Sequence, residues 1–210
     1  MPMPKKTATA PADSTILRQF VARPREVGAV WRSSPALGIA MAEAVRWPEY
    51  AAVVEAGAGD GAITEHLLAA KPPGTPFLAV ELNEMCAHEL ARRLPNLRIV
   101  VDDLANLYSI CAREKVGEVG AVVATLPWSV VPEDKQTSML DAILETLAPD
   151  GQLLFYIYIQ ALPFWRRSPF ARLLHESFGT IEHGSVVWKN VPPAVVYSCR
   201  GPCRAPNSTG

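Results

Sequence analysis

The sequence is poor in cysteine and contains no long hydrophobic run. It has four cysteines, Cys86, Cys111, Cys199 and Cys203, with one short spacing, C-x3-C. No second cysteine pair or histidine pair accompanies that spacing, so we expect no metal site, and we predict that the cysteines are reduced and structural. The longest apolar run, Leu153–Ile159, suits a buried strand, because a membrane-spanning helix needs about 20 such residues.

A secretory signal and a strong net charge are also missing. Lys5 and Lys6 stand near the N-terminus with no apolar stretch behind them, which predicts a cytoplasmic protein. The formal net charge is only −1, yet residues 1–32 hold six basic and two acidic side chains, a local +4 against −5 for the remainder. This balance disfavours a nucleic-acid partner and predicts that the N-terminal end alone meets something negative.

What is present is the composition of a globular chain. Of the 210 residues, 49% are hydrophobic and 20% are charged, which fits one domain. We predict a disordered tail over 1–12 and helices within 13–48 that face the substrate and the membrane, one of them from Ser33 or Ser34 to about Arg46. An α/β domain is expected over 49–200 and a second tail over 201–210.

From residue 51 onward, apolar strand patterns alternate with helical ones. The predicted strands span 51–56, 76–82, 97–101, 119–125 and 152–159, and the predicted helices span 61–70, 84–93, 104–115, 133–147 and about 169–177. This alternation predicts a parallel sheet covered by helices on both faces. Two closing runs, 181–188 and 194–199, predict a hairpin.

The most informative stretch is Glu55-Ala56-Gly57-Ala58-Gly59-Asp60-Gly61, where an apolar strand runs into a glycine-rich turn. Glycines let the backbone turn tightly and approach a ligand closely. Glu81 ends the second strand, where a carboxylate can accept hydrogen bonds from ribose hydroxyls. Asp103, which we prefer over Asp102, follows the third strand, where it can meet an adenine amino group. These carboxylates are therefore predicted at the ligand edge of the sheet.

Over residues 51–160, this constellation resembles the class I S-adenosylmethionine-dependent methyltransferases, since the spacing is E-x-G-x-G-x-G rather than the G-x-G-x-x-G of dinucleotide-binding loops. The resemblance implies a Rossmann-like α/β fold with a seven-stranded, mostly parallel sheet and a C-terminal antiparallel hairpin strand. It also implies S-adenosyl-L-methionine as cofactor and S-adenosyl-L-homocysteine as product. The implied cofactor-binding residues are Glu55, Gly57, Gly59, Gly61, Glu81, Leu82, Asp103, Leu104 and Thr125.

A short motif after the fourth strand, Thr125-Leu126-Pro127-Trp128, bears on the methyl acceptor. Methyl transfer from a sulfonium is an in-line displacement, so the protein mainly aligns a nucleophile. Backbone carbonyls can orient an amine, and an aromatic face can stabilise cationic character on the methylated nitrogen. Adenine methyltransferases begin the related motif with Asn, so Thr125 disfavours a nucleobase. We predict catalytic roles for Leu126, Trp128 and Tyr158, the last at the end of the fifth strand.

From Phe20 to Tyr197 the chain resembles a narrower family, the bacterial phosphatidylethanolamine N-methyltransferases. The likeness is carried by residues 24–30 with Ser33 and Ser34, the glycine loop, residues 80–83, Leu126-Pro127, Tyr158, and Trp188–Pro193 with Tyr197. It implies methylation of phosphatidylethanolamine, and also of its mono- and dimethyl forms, towards phosphatidylcholine. The implied lipid-binding residues are Arg32, Ser33, Ser34, Lys189 and Asn190, the last two on a hairpin tip that can meet a phosphate.

An enzyme that acts on a bilayer lipid must first bind the membrane surface. Apolar residues stand beside basic ones in 13–25 and in 162–170, and both segments are predicted to dock onto anionic lipid at the inner face of the cytoplasmic membrane. We expect a monomer with a phospholipid substrate and no nucleic-acid partner. Four alternatives stay open: another aminolipid such as ornithine lipid, a small molecule, an rRNA adenine, and a non-catalytic cofactor-binding protein.

Overall fold

Residues 33–126, 128 and 131–203 are described by a computed structural model of the chain. A seven-stranded sheet runs through its centre. In chain order the strands are β1 (Ala52–Ala56), β2 (Phe77–Glu81), β3 (Ile99–Val101), β4 (Val119–Ala124), β5 (Leu147–Tyr158), β6 (Phe178–Val187) and β7 (Ala194–Pro202). The predicted N-terminal tail and the helix proposed from residue 13 lie outside the described residues.

The order of the strands across the sheet is β3-β2-β1-β4-β5-β7-β6. The first five strands pair in parallel, whereas β7 runs antiparallel to both β5 and β6. The predicted sheet and its closing hairpin are therefore confirmed. Strand order reverses between β1 and β4, and such a switch point opens a crevice at the carboxyl ends of the strands, where ligands bind in open α/β sheets.

Helices cover both faces of this sheet. They are α1 (Pro35–Ala44), α2 (Thr64–Ala70), α3 (Glu84–Arg93), α4 (Leu107–Arg113), α5 (Glu133–Thr146), α6 (Leu162–Trp165) and α7 (Pro169–Ser177), with short 3-10 helices at Trp47–Glu49, Leu104–Asn106 and Ile159–Ala161. Side-chain caps fix several of the starts. Ser34 Oγ accepts a hydrogen bond from the backbone N–H of Leu37 at 3.3 Å, and Asn83 Oδ1 accepts one from Cys86 at 3.0 Å.

Alternate residues of the central strands supply two cores, one on each face of the sheet. Val53 and Leu154 pack on the face that α1 covers, and Val54 and Leu153 pack on the opposite face, against α4, α5 and α7. Because both faces are covered, the strands read in the sequence as continuous apolar runs rather than as alternating ones.

The structure differs from the prediction in three local features. The helix expected over 104–115 is split, because Asp103 Oδ1 accepts a hydrogen bond from the N–H of Ala105 at 3.0 Å and starts a 3-10 turn before α4. β5 begins at Leu147 instead of Gln152. The segment after β5, expected as a loop, forms α6. Among the described residues, we find no helix with both the length and the apolar character required to cross a bilayer.

Candidate active site

The glycine loop after β1 lies at the crevice in the sheet. Gly57, Gly59 and Gly61 all have positive φ angles, of 86°, 53° and 79°, a region that side chains with a Cβ atom disfavour. The N–H of Gly57 donates to the carbonyl of Val80 at 2.8 Å, so the start of the loop is held against β2. The sequence pattern therefore produces the tight turn that it predicts.

Glu81 connects this loop to the end of β2. Its Oε2 accepts a hydrogen bond from the N–H of Gly59 at 2.7 Å, and its Oε1 accepts one from the N–H of Asn83, also at 2.7 Å. The carboxylate thus spans two backbone segments at the carboxyl edge of the sheet. In this position it fixes the loop and keeps lone pairs for the hydroxyls of a ribose.

The space around the loop fits a cofactor that approaches the backbone. A Cβ atom on Gly57 would collide with the side chain of Leu126, whereas one on Gly59 would meet only the carbonyl oxygen of Gly57, at 3.9 Å. Gly57 is therefore closed off by the protein, and Gly59 faces open space. Leu82, which is 44% exposed, adds an apolar surface beside this opening.

Glu55 lies beneath the loop and is fully buried, with both carboxylate oxygens lacking a hydrogen-bond partner among the described residues. Burial raises the pKa of Glu55 to about 8, and the nearby Thr64 hydroxyl acts in the opposite direction. The Thr64 hydroxyl oxygen is itself buried without a hydrogen-bond partner among the described residues. A buried, unsatisfied carboxyl group at this edge suits a site that receives a polar, positively charged ligand.

Thr125, at the end of β4, braces the loop from the other side. Its hydroxyl oxygen lies 2.6 Å from the carbonyl oxygen of Gly57 and 3.2 Å from that of Ala56, to which it can donate. Its backbone N–H donates to Ala56 at 2.9 Å. The side chain of Leu126 then packs over Gly57. Pro127, the third residue of the motif, lies outside the described residues.

The two carboxylates after β3 differ in how fully they are engaged. Asp102 accepts hydrogen bonds from the N–H of Asp103 and the amide of Asn106, both at 2.8 Å, and lies 3.3 Å from Arg113. These interactions, led by that with Asn106, lower the pKa of Asp102. Asp103 caps the 3-10 turn with one oxygen, and its other oxygen is 3.4 Å from Lys135 Nζ. Asp103 therefore has the freer carboxylate, and Leu104 beside it is buried.

On the acceptor side, Tyr156 and Tyr158 lie on the same face of β5 with ring centroids 5.4 Å apart. Burial raises the pKa of Tyr158 well above its usual range, and burial also raises that of Tyr156, whose oxygen receives hydrogen bonds from Tyr158 and Ser33. Both phenols are therefore protonated at neutral pH. Tyr158 is suited to hydrogen bonding and not to removing a proton as a phenolate.

Asn190 connects two of the predicted lipid-binding segments, the β6–β7 turn and the start of α1. It is only 1% exposed, its Oδ1 accepts a hydrogen bond from the N–H of Ser34 at 2.8 Å, and its Nδ2 donates to the carbonyl of Pro192 at 2.6 Å. The β6–β7 turn is thus tied to the start of α1. Its neighbour Lys189 is exposed. Arg32, the remaining member of this set, lies outside the described residues.

Trp128 is buried rather than open to the crevice. It is 1% exposed, its ring stacks on Phe170 at 4.6 Å, and it contacts Phe155 edge-on at 6.4 Å. Gln136, which sequence reasoning did not single out, donates from Nε2 to the carbonyls of Trp128 at 2.7 Å and Val131 at 3.0 Å. This buried amide holds the chain between β4 and α5, and nothing in the local sequence distinguishes it from a surface glutamine.

Known proteins share this architecture. No protein-family model matches the chain. An ornithine lipid N-methyltransferase of Singulisphaera acidiphila is 26% identical over 188 residues, which cover 88% of this chain and 94% of the relative. An O-methyltransferase from Bacillus cereus, solved with SAH, has a TM-score of 0.63 and 13% identity over 90% of this chain and 92% of its own. The O-methyltransferase TomG from Streptomyces achromogenes, solved with SAM, has a TM-score of 0.61 and 15% identity over 90% of each chain.

An N-methyltransferase also has the same fold. NodS from Bradyrhizobium japonicum has a TM-score of 0.55 and 13% identity, over 87% of this chain and 97% of its own. These similarities show the class I fold of the S-adenosylmethionine-dependent methyltransferases, which confirms the predicted fold class. Two of these proteins, TomG and the Bacillus cereus enzyme, were solved with SAM and with SAH.

Proposed function

We propose that the protein is an N-methyltransferase that transfers a methyl group from S-adenosylmethionine to the primary amine of a membrane aminolipid. The observation that carries this proposal is the similarity to the ornithine lipid N-methyltransferase, which extends over nearly the whole of both chains. We therefore place ornithine lipid first among the acceptors. Phosphatidylethanolamine is the second candidate, and the sequence motifs from Phe20 to Tyr197 support it.

The two head groups share one chemistry. Each carries a primary amine together with an anionic group, a carboxylate in ornithine and a phosphate in ethanolamine lipids. Lys189, which is exposed on the β6–β7 turn, is suited to pair with either anion. Asn190 already uses its amide within the protein, so we propose that it positions the turn around the head group, and its direct contact with lipid stays a prediction.

The protein's own residues have to hold the amine in line with the methyl group. When bound, S-adenosylmethionine supplies an activated methyl on a sulfonium, so alignment is the main requirement. The phenol of Tyr158 ends β5 at the ligand edge and donates its proton to the oxygen of Tyr156. The lone pairs of the Tyr158 oxygen can therefore accept a hydrogen bond from an N–H of the acceptor amine and leave the nitrogen lone pair free to attack. The backbone of Leu126 stays a proposed amine ligand, although its carbonyl already accepts from the N–H of Trp128 at 2.9 Å.

Trp128 has a different role in this proposal from the one that its sequence position predicts. Its ring is enclosed by Phe155 and Phe170, so we propose that it shapes the wall of the acceptor pocket from behind. The cofactor-binding roles of Glu55, Glu81, Leu82, Asp103, Leu104, Thr125 and the three glycines are proposed as the sequence predicts them. We also propose, as the sequence predicts, that the protein is a monomer and that it is located at the inner face of the membrane. Docking through residues 13–25 is proposed as well, and this segment lies outside the described residues.

Labelled cofactor tests the proposal directly. The full-length protein is incubated with methyl-labelled S-adenosylmethionine and vesicles that contain both ornithine lipid and phosphatidylethanolamine, and the lipids are then separated. We expect label in ornithine lipid, with a Glu81→Ala variant as the inactive control. Label confined to phosphatidylethanolamine would make that lipid the acceptor, and absence of label from every aminolipid would refute the proposal.

A further inference from the structure

Three large apolar side chains project from two neighbouring segments of the protein. Phe164 is 80% exposed, Val191 is 77% exposed and Trp188 is 70% exposed, the highest values for large apolar residues in the described part of the chain. We call these three residues the apolar tips. Side chains of this size are usually at least half buried in a soluble protein, so three such exposed residues in one region indicate an interaction surface.

Strand pairing brings the two segments together at the ligand edge of the sheet. Ala194 at the start of β7 pairs with both Tyr158 at the end of β5 and Val187 at the end of β6. The N–H of Ile159 also donates to the carbonyl of Pro193 at 2.9 Å. The turn that carries Trp188 and Val191 therefore lies beside the chain that leads into α6, which carries Phe164.

A cleft confirms that α6 lies against the end of β6. It has a volume of about 590 Å³ and is lined by residues that include Leu162, Arg166, Val186 and Val195. Phe164 is two residues from Leu162 and from Arg166, and Trp188 is two residues from Val186. The two segments that carry the apolar tips therefore flank one cleft, although the tips themselves are not part of its lining.

The exposure of the tips is built into the fold. The N–H of Trp188 donates to Val186 at 3.1 Å, and the N–H of Asn190 donates to Val187 at 3.2 Å. Asn190 points inward and is held by Ser34 and Pro192. Between Trp188 and Val191, the polar amide of Asn190 is thus buried while the apolar side chains face outward, the reverse of the usual arrangement.

The charge around the tips has one sign. Arg166, Arg167 and Lys189 are exposed, and none of the three forms an ion pair with a carboxylate of the described residues. Segments 159–170 and 184–195 contain no Asp or Glu at all. Separate protruding apolar residues surrounded by unpaired cations match an anionic bilayer, in which the apolar groups enter the acyl region and the cations remain at the head groups.

We propose that Phe164, Trp188 and Val191 form an interfacial anchor that inserts into an anionic lipid surface, with Arg166, Arg167 and Lys189 at the head groups. The inference deepens the proposed function, on which it rests for the identity of the acceptor, because the anchor would set the crevice against the membrane. It also revises the surface expected over 162–170, since Trp165 is 7% exposed and Phe170 is 3% exposed, and both are buried in the aromatic cluster.

Vesicle binding of the full-length protein tests the anchor without any turnover. The vesicles contain phosphatidylglycerol and phosphatidylcholine and no aminolipid, so binding cannot depend on methylation. We expect a variant with Phe164→Ser, Trp188→Ser and Val191→Ser to partition onto these vesicles at least about tenfold more weakly than the wild type. A matched control, Met85→Ser with Tyr108→Ser, removes two exposed apolar side chains from α3 and α4, and should bind as the wild type does.

Fluorescence gives a second, independent readout. Acyl chains that carry bromine quench a tryptophan only when its ring reaches them. Trp47, Trp128 and Trp165 are buried, and Trp31, which lies outside the described residues, is replaced by Phe in the background used for this measurement. We expect quenching and a blue shift on vesicle binding, both reduced in Trp188→Phe. Replacing Arg166, Arg167 and Lys189 with Gln should remove the preference for anionic over neutral vesicles, and added salt should weaken binding of the wild type.

The outcomes separate the anchor from the acceptor. Loss of vesicle binding in the triple Ser variant, with unchanged turnover of a short-chain aminolipid below its micelle concentration, supports both proposals. Loss of vesicle binding with no turnover of any aminolipid by the wild type keeps the anchor and refutes the acceptor. Vesicle binding by the triple variant equal to that of the wild type, or a wild type that binds RNA or a protein surface but no vesicle, would overturn the anchor.

Discussion

The two halves of the ligand edge are built differently. On the cofactor side, β1, β2 and β4 are joined by backbone hydrogen bonds and by single short side chains, such as Glu81 bonded to Gly59 and Thr125 to Gly57. On the acceptor side, β5, β6 and β7 carry a lining assembled from distant parts of the chain, such as Asn190 bonded to Ser34, 156 residues away. Contacts between the ends of adjacent parallel strands therefore fix the cofactor site, across 22 and 68 residues of sequence, whereas the acceptor site depends on a contact between a hairpin turn and the start of α1.

This difference between the two sites indicates which of them can be altered more easily to accept another substrate. A loop bonded to its own strand ends keeps its shape when surface segments change. A lining that depends on a turn, a helix start and the 3-10 helix after β5 can be altered by small changes in any of them. We therefore expect substitutions of ligand-facing groups on the cofactor side to weaken cofactor binding, and substitutions on the acceptor side to change affinity for the lipid.

The largest effect is expected from Gly57→Ala. The residue has a φ of 86°, and its new methyl group would collide with Leu126, so backbone strain and overpacking add to a destabilisation of about 4 kcal/mol. Gly74→Ala is the matched control, because Gly74 has a φ of 84° and no atom within 4 Å of the added Cβ. Chemical denaturation measures both variants, and isothermal titration measures cofactor binding. Equal losses of stability in the two variants would show that Leu126 does not close the loop.

A second effect, about 4 kcal/mol between pH 5 and 9, is expected from the titration of Glu55. Its pKa is raised from 4.5 to about 8 in the folded protein, so the folded state holds the proton more tightly than the unfolded state. Stability from this group is complete below pH 4.5 and is lost as the pH rises through about 8. In Glu55→Gln, the free energy of unfolding should fall less between pH 5 and 9 than in the wild type.

Other groups titrate in the same pH range, so the quantity to measure is the difference in the free energy of unfolding between the wild type and Glu55→Gln. Urea denaturation of both proteins at pH 5, 7 and 9, without cofactor, gives this difference directly. The variant is expected to be the less stable of the two at pH 5, because a buried amide without partners costs free energy. Parallel pH profiles would mean that Glu55 is ionised throughout and has an unidentified partner.

On the acceptor side, Asn190→Ala should cost about 2 kcal/mol, because it leaves the N–H of Ser34 and the carbonyl of Pro192 without their buried partner. Gln152→Ala is the matched control. Gln152 also joins α1 to the sheet, through Ala44 at 3.0 Å and Ser198 at 2.8 Å, but in the middle of β5, away from the ligand edge. Both variants should lose similar stability.

Enzyme kinetics then distinguish the β6–β7 turn from the middle of β5. With the proposed aminolipid as acceptor, we expect Asn190→Ala to raise the KM for lipid about tenfold and to leave the dissociation constant of the cofactor unchanged. Gln152→Ala should change neither. An equal rise of KM in both variants would show that α1 as a whole, and not the β6–β7 turn, positions the acceptor.

The same contrast decides how much could be predicted from the sequence. The glycine loop and Glu81 follow directly on apolar strands with a short, recognisable spacing of residue types, so the sequence predicts their place at the sheet edge even though their contacts come from other strands. Trp128 and Asn190 are different, because no such spacing indicates their surroundings. Trp128 meets Phe170, which is 42 positions later, and a Pro-Trp motif alone does not reveal that contact. Gln136 and the unpaired carboxyl group of Glu55 became recognisable only when burial was known.

The smallest expected effect concerns the cofactor side and tests whether Asp102 or Asp103 contacts the cofactor. Asp102 uses both oxygens within the protein, whereas Asp103 has one oxygen opposed only by Lys135 at 3.4 Å. Asp103→Asn should therefore weaken cofactor binding about five- to tenfold, or about 1 kcal/mol, because an amide replaces a carboxylate acceptor for an amino group. Asp102→Asn should lower stability and leave the cofactor's dissociation constant unchanged. Titration calorimetry at constant salt measures the cofactor's dissociation constant in both variants, and Lys135→Gln is the control for the ion pair with Asp103. A larger loss of affinity in Asp102→Asn than in Asp103→Asn would assign the adenine contact to Asp102.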